Sequence, residues 1–368
     1  MFAASLQHRA AARAPAATSS IDIASTMPSQ PLHTLSLPTS PPPPPPTSTP
    51  SRGSMATPLL PHSMRLLERG WLSANNIVFL DDARTASVVD TGYVLHAAQT
   101  VALVRHALGG RQLARIVNTH LHSDHCGGNA ALQLAFGGAA HCAVTVPAGE
   151  LRAVNNWDED ALSFRSTGQQ AAGFSAAAGM AAGDLLQLGG MPWRVHAAPG
   201  HDPHALMLFQ HDARLLISGD ALWEHGFGVV FPEMVGESGF AATRSTLDAI
   251  AALAPAAVIP GHGAVFTDVA AALARARSRL GVFEASPERH ARHGLRVLLK
   301  FQLLQQPEGV ARDDLRAWFC DAELVARAAR HFWPNLTLDA LFSETLDALF
   351  LASAASRRDH LVCNADPA

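Results

Sequence analysis

A chain of 368 residues exceeds a minimal domain and suits two folded units plus a tail. With 48% hydrophobic and 16% charged residues, and 27 Lys plus Arg against 31 Asp plus Glu, the formal net charge is -4, which excludes a chain-wide basic surface for nucleic acid. Cys126, Cys142, Cys320 and Cys363 form no CxxC pair, so neither a disulfide framework nor an all-cysteine zinc site is expected, and a reducing compartment is the simpler reading.

Thirteen of the 24 prolines fall at or before Pro61, including the run Pro41 to Pro46, among Ser, Thr and Ala. Such a segment cannot bury a core, so residues 1–67 are expected to be a disordered tail, with Met55 or Met64 as an alternative start. Arg9 and Arg13 beside the single acid Asp22 faintly resemble a transit peptide, but no apolar stretch of a secretory signal is present. No run approaches the roughly 18 to 20 apolar residues of a membrane span, so a soluble, cytoplasmic chain with no membrane partner is expected.

From Trp71 onwards, short apolar runs alternate with helical periodicity, the signature of α/β organisation. Strands are expected at Asn76–Leu80, Ser87–Val89, Ala114–Val117, Cys142–Val146, Trp193–Ala197, Ala205–Phe209, Leu215–Ile217 and Ala257–Ile259. Val101, Val104 and Leu108 mark one helix face, and Ala241–Leu253 and Val269–Leu280 fit further helices. Residues 68–280 form the expected catalytic domain. In residues 281–368 the strands fade into helices near His290–Leu304, Ala311–Phe319, Ala322–Phe332 and Leu338–Ser353, the last capped by Thr337, before a small strand at His360–Cys363.

The decisive segment is Thr119-His120-Leu121-His122-Ser123-Asp124-His125-Cys126-Gly127-Gly128-Asn129, directly after a buried strand. His120 and His122 can direct imidazoles to one ion if extended, while Asp124 and His125 turn towards a second position. Gly127 and Gly128 are expected to let the chain reverse tightly before a helix. Pro199-Gly200-His201, Ser218-Gly219-Asp220 and Pro260-Gly261-His262 place further ligand types at the ends of apolar runs, as loops on a rigid sheet would. Asp90 ends another run and could orient a ligand imidazole or cap a turn.

On these residues the chain resembles the metallo-β-lactamase superfamily, whose HxHxDH motif is matched by His120, His122, Asp124 and His125, with the later motifs in order. The resemblance covers roughly Trp71 to Leu280. It implies a four-layer αββα sandwich with a C-terminal winged-helix-like unit, and two divalent ions, zinc first with iron or manganese open. His120, His122 and His201 would hold the first, Asp124, His125 and His262 the second, and Asp220 would bridge both. Two cations sharing a water stabilise hydroxide while one polarises the oxygen under attack, and Asp124 would orient the hydroxide or take its proton. Asp220 stands where the main clinical β-lactamase subclasses carry cysteine, which lowers the case for that activity.

The resemblance favours a small-molecule thioester, ester or lactone hydrolase of the glyoxalase-II-like kind. Glutathione recognition there draws on Tyr and basic residues of a C-terminal helical region, and this chain, with Tyr93 as its single tyrosine, has little of either to offer and no convincing glutathione motif. The alternatives are nucleic-acid hydrolysis by the winged-helix-tailed branch, β-lactam hydrolysis, a persulfide dioxygenase with one iron, in which His125 and His262 would hold nothing, and a silent binding module. Residues 281–368 carry 10 Arg plus Lys against 12 Asp plus Glu, which disfavours a nucleic-acid partner and leaves a lid or homodimer element. His204, Tyr93 and the loop of Trp223, His225, Phe227 and Phe231 are candidate substrate contacts or plain packing residues. Cys126 reads as a small buried residue rather than a nucleophile.

Overall fold

A computed structural model describes residues 60–365. The expected tail therefore lies outside the described residues up to 59, but its boundary at 67 falls too late. Strand β1 (Met64–Leu67) pairs antiparallel with β2 (Asn76–Leu80), because Met64 buries its side chain under the first sheet.

The first sheet continues through β3 (Thr85–Val89), β4 (Gln112–Val117), β5 (Ala143–Pro147) and β6 (Ala178–Met180), in the order β1-β2-β3-β4-β5-β6, with β3 to β6 parallel. The parallel crossovers carry α1 (Ala97–Leu108), α2 (Ser123–Cys126), α3 (Asn129–Ala135), α4 (Leu151–Asn156) and α5 (Phe164–Thr167). The second sheet, β7 (Leu185–Leu188), β8 (Met191–Ala197), β9 (Leu206–Gln210), β10 (Leu215–Gly219) and β11 (Ala257–Pro260), is ordered β11-β10-β9-β8-β7.

Alternation along the strands dictates the layers. Ile77, Phe79, Leu206, Leu208 and Ile217 meet between the two sheets around Trp193. Their neighbours point the other way: Val78 and Val88 pack on Val104 and Leu108 of α1, while Met207, Phe209 and Leu216 pack on α6 (Phe240–Leu253) and α7 (Val269–Ala285). Strands apolar on both faces can only be buried on both, which gives the αββα sandwich.

The C-terminal unit runs α8 (Pro287–Leu304), β12 (Val310–Ala311), α9 (Arg312–Asp321), α10 (Glu323–Phe332), α11 (Leu338–Leu351), β13 (Ala355–Arg358) and β14 (Leu361–Asn364). Its small sheet is ordered β12-β14-β13, so helices close over a terminal hairpin in winged-helix fashion. Thr337 caps α11 through Ala340 N as expected. The unit is not set apart from the sandwich: Val229 and Met234, which precede α6, share a core with Leu295, Leu299 and Phe342.

Candidate metal centre

The ligand-bearing loops all leave the same edge of the sandwich, where strands of both sheets end. Thr119 O accepts from Leu206 N and Gly219 O from Gly261 N, so neighbouring loops are tied by backbone bonds. The seven expected donors converge into two groups, His120, His122 and His201 in one and Asp124, His125, Asp220 and His262 in the other, with ligand atoms within 4.8 Å of one another in each.

The sequence reason is local. Asp90 ends β3 with φ +54, a conformation Asp tolerates better than most side chains, and this turns its carboxylate under the neighbouring loop. There it accepts from Thr119 N (2.9 Å) and Thr119 Oγ1 (2.8 Å), and its Oδ2 holds Nδ1 of His125 at 2.8 Å. The carboxylate thereby accepts the Nδ1–H hydrogen bond and leaves Nε2 of His125 as the nitrogen turned towards the cluster. His201 is set the same way, donating Nδ1–H to Val229 O at 2.6 Å while its Nε2 lies 2.7 Å from His122 Nδ1.

The carboxylates complete the geometry. Asp220 places Oδ1 3.3 Å from His125 Nε2 and Oδ2 3.4 Å from His201 Nε2, so its two oxygens face the two groups. Asp124 Oδ2 lies 3.0 Å from His262 Nε2. A Cβ on Gly261 would stand 2.2 Å from Asp220 Oδ1 and 2.8 Å from His125 Cε1, so only glycine lets this backbone pass behind the ligands.

Charge follows from the packing. Burial opposes ionisation of Asp220, but His125 and His262 hold it well below the usual carboxylate range. Burial likewise opposes a charge on His125, yet Asp220, Asp90 and Asp124 raise it well above the ordinary imidazole value. His120 is pushed well down by burial and its neighbouring imidazoles, and His122 is lowered to about 4 by burial and then His201. The site is thus built for cations. Nε2 of His120 and of His125 are buried without a well-formed hydrogen bond among the described residues, which imidazole nitrogens in a dry site are not unless something else fills the role. Mixed imidazole and carboxylate donors suit zinc, iron or manganese, and these residues fit two such ions.

Several expectations change in detail. Gly127 and Gly128 have φ of -61 and -85, ordinary helical values, so they do not serve a reversal. What they supply is space, since a Cβ there would lie 2.4 Å from Val94 N or Thr91 O. His204 is exposed and rests on Gly149, and His225 is exposed beside Glu224. Phe227 packs into the sandwich core against Phe283, and buried Tyr93 donates its hydroxyl to Gln305. Cys126 is buried, with its thiol held well above its ordinary pKa by burial and nearby carboxylates. Of the expected aromatic loop, Trp223 and Phe231 do reach the centre: Trp223 Nε1 donates to Asp220 Oδ1, and Phe231 lies edge-on to His122. Trp71, stacked on His262, has no counterpart in the sequence reading.

The family model of the metallo-beta-lactamase superfamily matches residues 70–262. The hydroxyacylglutathione hydrolase of Albidiferax ferrireducens is 32% identical over 196 residues, 52% of this chain and 62% of that protein. That of Hyphomonas neptunium is 32% identical over 129 residues, 34% of this chain and 41% of that protein, so this chain spans less than two thirds of either relative. Among solved structures, a beta-lactamase domain protein from Burkholderia ambifaria shares 20% identity at a TM-score of 0.49, covering 83% of this chain and 92% of that one. A metallo-beta-lactamase family protein from Thermus thermophilus shares 19% identity at a TM-score of 0.46, covering 82% and 98%.

Proposed function

The chain belongs to the metallo-beta-lactamase superfamily, and from that premise we propose that it is a dinuclear metal-dependent hydrolase of a small-molecule thioester, ester or lactone. The observation that carries the reading is the convergence of seven donors from separate strand-end loops into two groups, with a carboxylate facing both.

His120, His122 and His201 would hold one ion, Asp124, His125 and His262 the other, and Asp220 would stand between, with zinc favoured by the imidazole-rich donor set. When bound, two such ions supply Lewis acidity, which acidifies water and polarises a carbonyl oxygen. The protein's own part is preorganisation. Asp90 keeps His125 in one tautomer, Val229 O does the same for His201, and Trp223 steadies Asp220. Asp124, the most exposed of the seven side chains, would orient the attacking water or take its proton. A one-iron oxidative site would leave His125 and His262 without a role, yet Asp90 and Asp124 seat both.

The C-terminal unit does not favour a nucleic-acid substrate. Its last helix, α11, carries Asp339, Glu344 and Asp347 and no Lys or Arg, whereas a helix entering a groove needs positive charge. No helix among the described residues is long and apolar enough to cross a membrane. We assign the unit a supporting role beside the site, with a homodimer contact as its second use, in a cytoplasmic enzyme.

The test is hydrolysis of a matched panel, thioester, lactone, β-lactam and single-stranded RNA, by the zinc-loaded full chain with a chelator-treated control. Chelator-sensitive turnover of thioester or lactone with RNA intact supports the reading; RNA cleavage alone overturns it.

A further inference from the structure

The second group of donors is walled by indoles. Trp71 stacks on the imidazole of His262 with centroids 5.5 Å apart and planes 14° apart. Trp223 stands edge-on to both rings, 5.5 Å from Trp71 and 5.6 Å from His262. Neither position is accidental. The segment carrying Trp71 is bonded to both ligand loops of that group, through Ala74 N to Asp124 O (2.9 Å), Asn75 N to Gly261 O (2.7 Å) and Asn75 Nδ2 to Pro260 O (3.0 Å). Trp223 is fixed by Asp220 and by a backbone bridge to Gly226.

Despite this anchoring, Trp71 keeps 57% of its surface exposed. A rigidly mounted indole, open to solvent and stacked on a ligand imidazole, is a binding face rather than a core residue. Phe231 lies 5.1 Å from His122 and 5.5 Å from His201, so each of the two donor groups has an aromatic neighbour.

The surroundings of the donors are equally informative in charge. Among the described residues no Lys or Arg forms a hydrogen bond or ion pair with any of the seven donors. Arg69, two residues from Trp71, is engaged by Asn76, Thr100 and Gln99. Lys300 donates to Ala354 O and Ala365 O, and Tyr93 is turned inwards to Gln305. Arg69, Lys300 and Tyr93 are thus each engaged by the protein's own groups.

We propose that Trp71 and Trp223 form a wall that binds a planar apolar group of the substrate, so that the substrate is an ester, thioester or lactone bearing an aromatic acyl portion and not a glutathione conjugate. The inference rests on the hydrolase reading for its reaction, but its test reads binding. The zinc-loaded full chain is titrated calorimetrically with phenylacetate and with acetate, two carboxylates that differ only by the ring. Phenylacetate is expected to bind about tenfold more tightly, the scale of one aromatic contact. Trp71→Ala should remove most of that ratio and Trp71→Phe should keep most of it, because a flat aromatic face remains.

Equal affinities for the two carboxylates in the unaltered chain overturn the proposal, whatever the variants do. An unchanged ratio in Trp71→Ala also overturns it, by showing that the ring binds elsewhere. Absence of turnover on every ester, thioester and lactone would instead sink the hydrolase reading, while the affinity ratio would still decide the role of the wall.

Discussion

Asp90 Oδ2 lies 2.8 Å from Nδ1 of His125, and the same carboxylate accepts from both the backbone and the hydroxyl of Thr119. One side chain at the end of β3 therefore sets the tautomer of a ligand imidazole and the path of the loop that carries it. An aspartate is needed because only an acceptor facing Nδ1 leaves Nε2 free to ligate.

Asp90→Asn tests this with little change of shape, and Asn tolerates the positive φ. An amide group donating to Nδ1 would move the ring proton to Nε2. Zinc affinity measured by chelator competition should fall by about 10- to 100-fold. An unchanged affinity would mean that His125 needs no such orientation.

His290 on α8 links the C-terminal unit to the first donor group. Its Nε2 accepts from Val230 N at 3.2 Å, one residue beyond the carbonyl that holds His201. The ring sits between Phe240 and Phe283. His290→Ala leaves Val230 N–H buried without its acceptor, costing on the order of 1 to 3 kcal/mol in stability, whereas the amide oxygen of Gln in its place reaches the position of Nε2 and can still accept. Thermal unfolding should therefore separate the two variants, and chelator competition should show weaker zinc binding in His290→Ala alone.

The same residue predicts a pH dependence. Burial, then Arg279, lowers the His290 pKa from 6.5 to about 4. Between those values the unfolded chain binds the proton and the folded chain does not, so stability falls as pH falls through this window. His290→Gln has no such proton to exclude, and its urea midpoint should decline less than that of the unaltered chain from pH 6.5 to 4. Parallel declines would show that His290 does not titrate this way.

Glu150 behaves in the opposite sense. Burial, then Asp202, raises its pKa from 4.5 to about 9, and its Oε2 finds no partner among the described residues. The folded chain keeps the proton that the unfolded chain has lost, so stability falls as pH rises from 4.5 towards 9. Glu150→Gln mimics the neutral form. It should match the unaltered chain near about pH 5 and unfold at a higher temperature at about pH 9, by a margin on the order of a few kcal/mol. A constant difference across pH would contradict the buried neutral carboxyl.

The ligands were legible in the sequence because each stands beside a glycine or polar turn at the end of an apolar run, and the fold brings those ends to one edge. The grouping of His262 with Asp124, across 138 positions of chain, came only from the resemblance to the metallo-β-lactamase superfamily. Trp71 was hidden for the converse reason: it precedes the first strong strand, belongs to no motif, and gains its meaning only when Asn75 bonds to Gly261. Phe231 and Val229 could be seen as apolar residues but not as the join between the site and the C-terminal core. Helices α8 to α11 were visible through their periodicity, whereas β12, of two residues, and the arginine-bearing β13 offered no apolar alternation to read.

Whether two ions sit in this site with Asp220 between them is decided by the zinc content of the full chain. After zinc loading and exhaustive dialysis, the unaltered chain should retain two zinc ions per polypeptide. Asp220→Ala should retain one or fewer and lose thioester or lactone turnover. A single ion in the unaltered chain, or two ions with undiminished turnover in Asp220→Ala, would rule out a shared carboxylate ligand at this position.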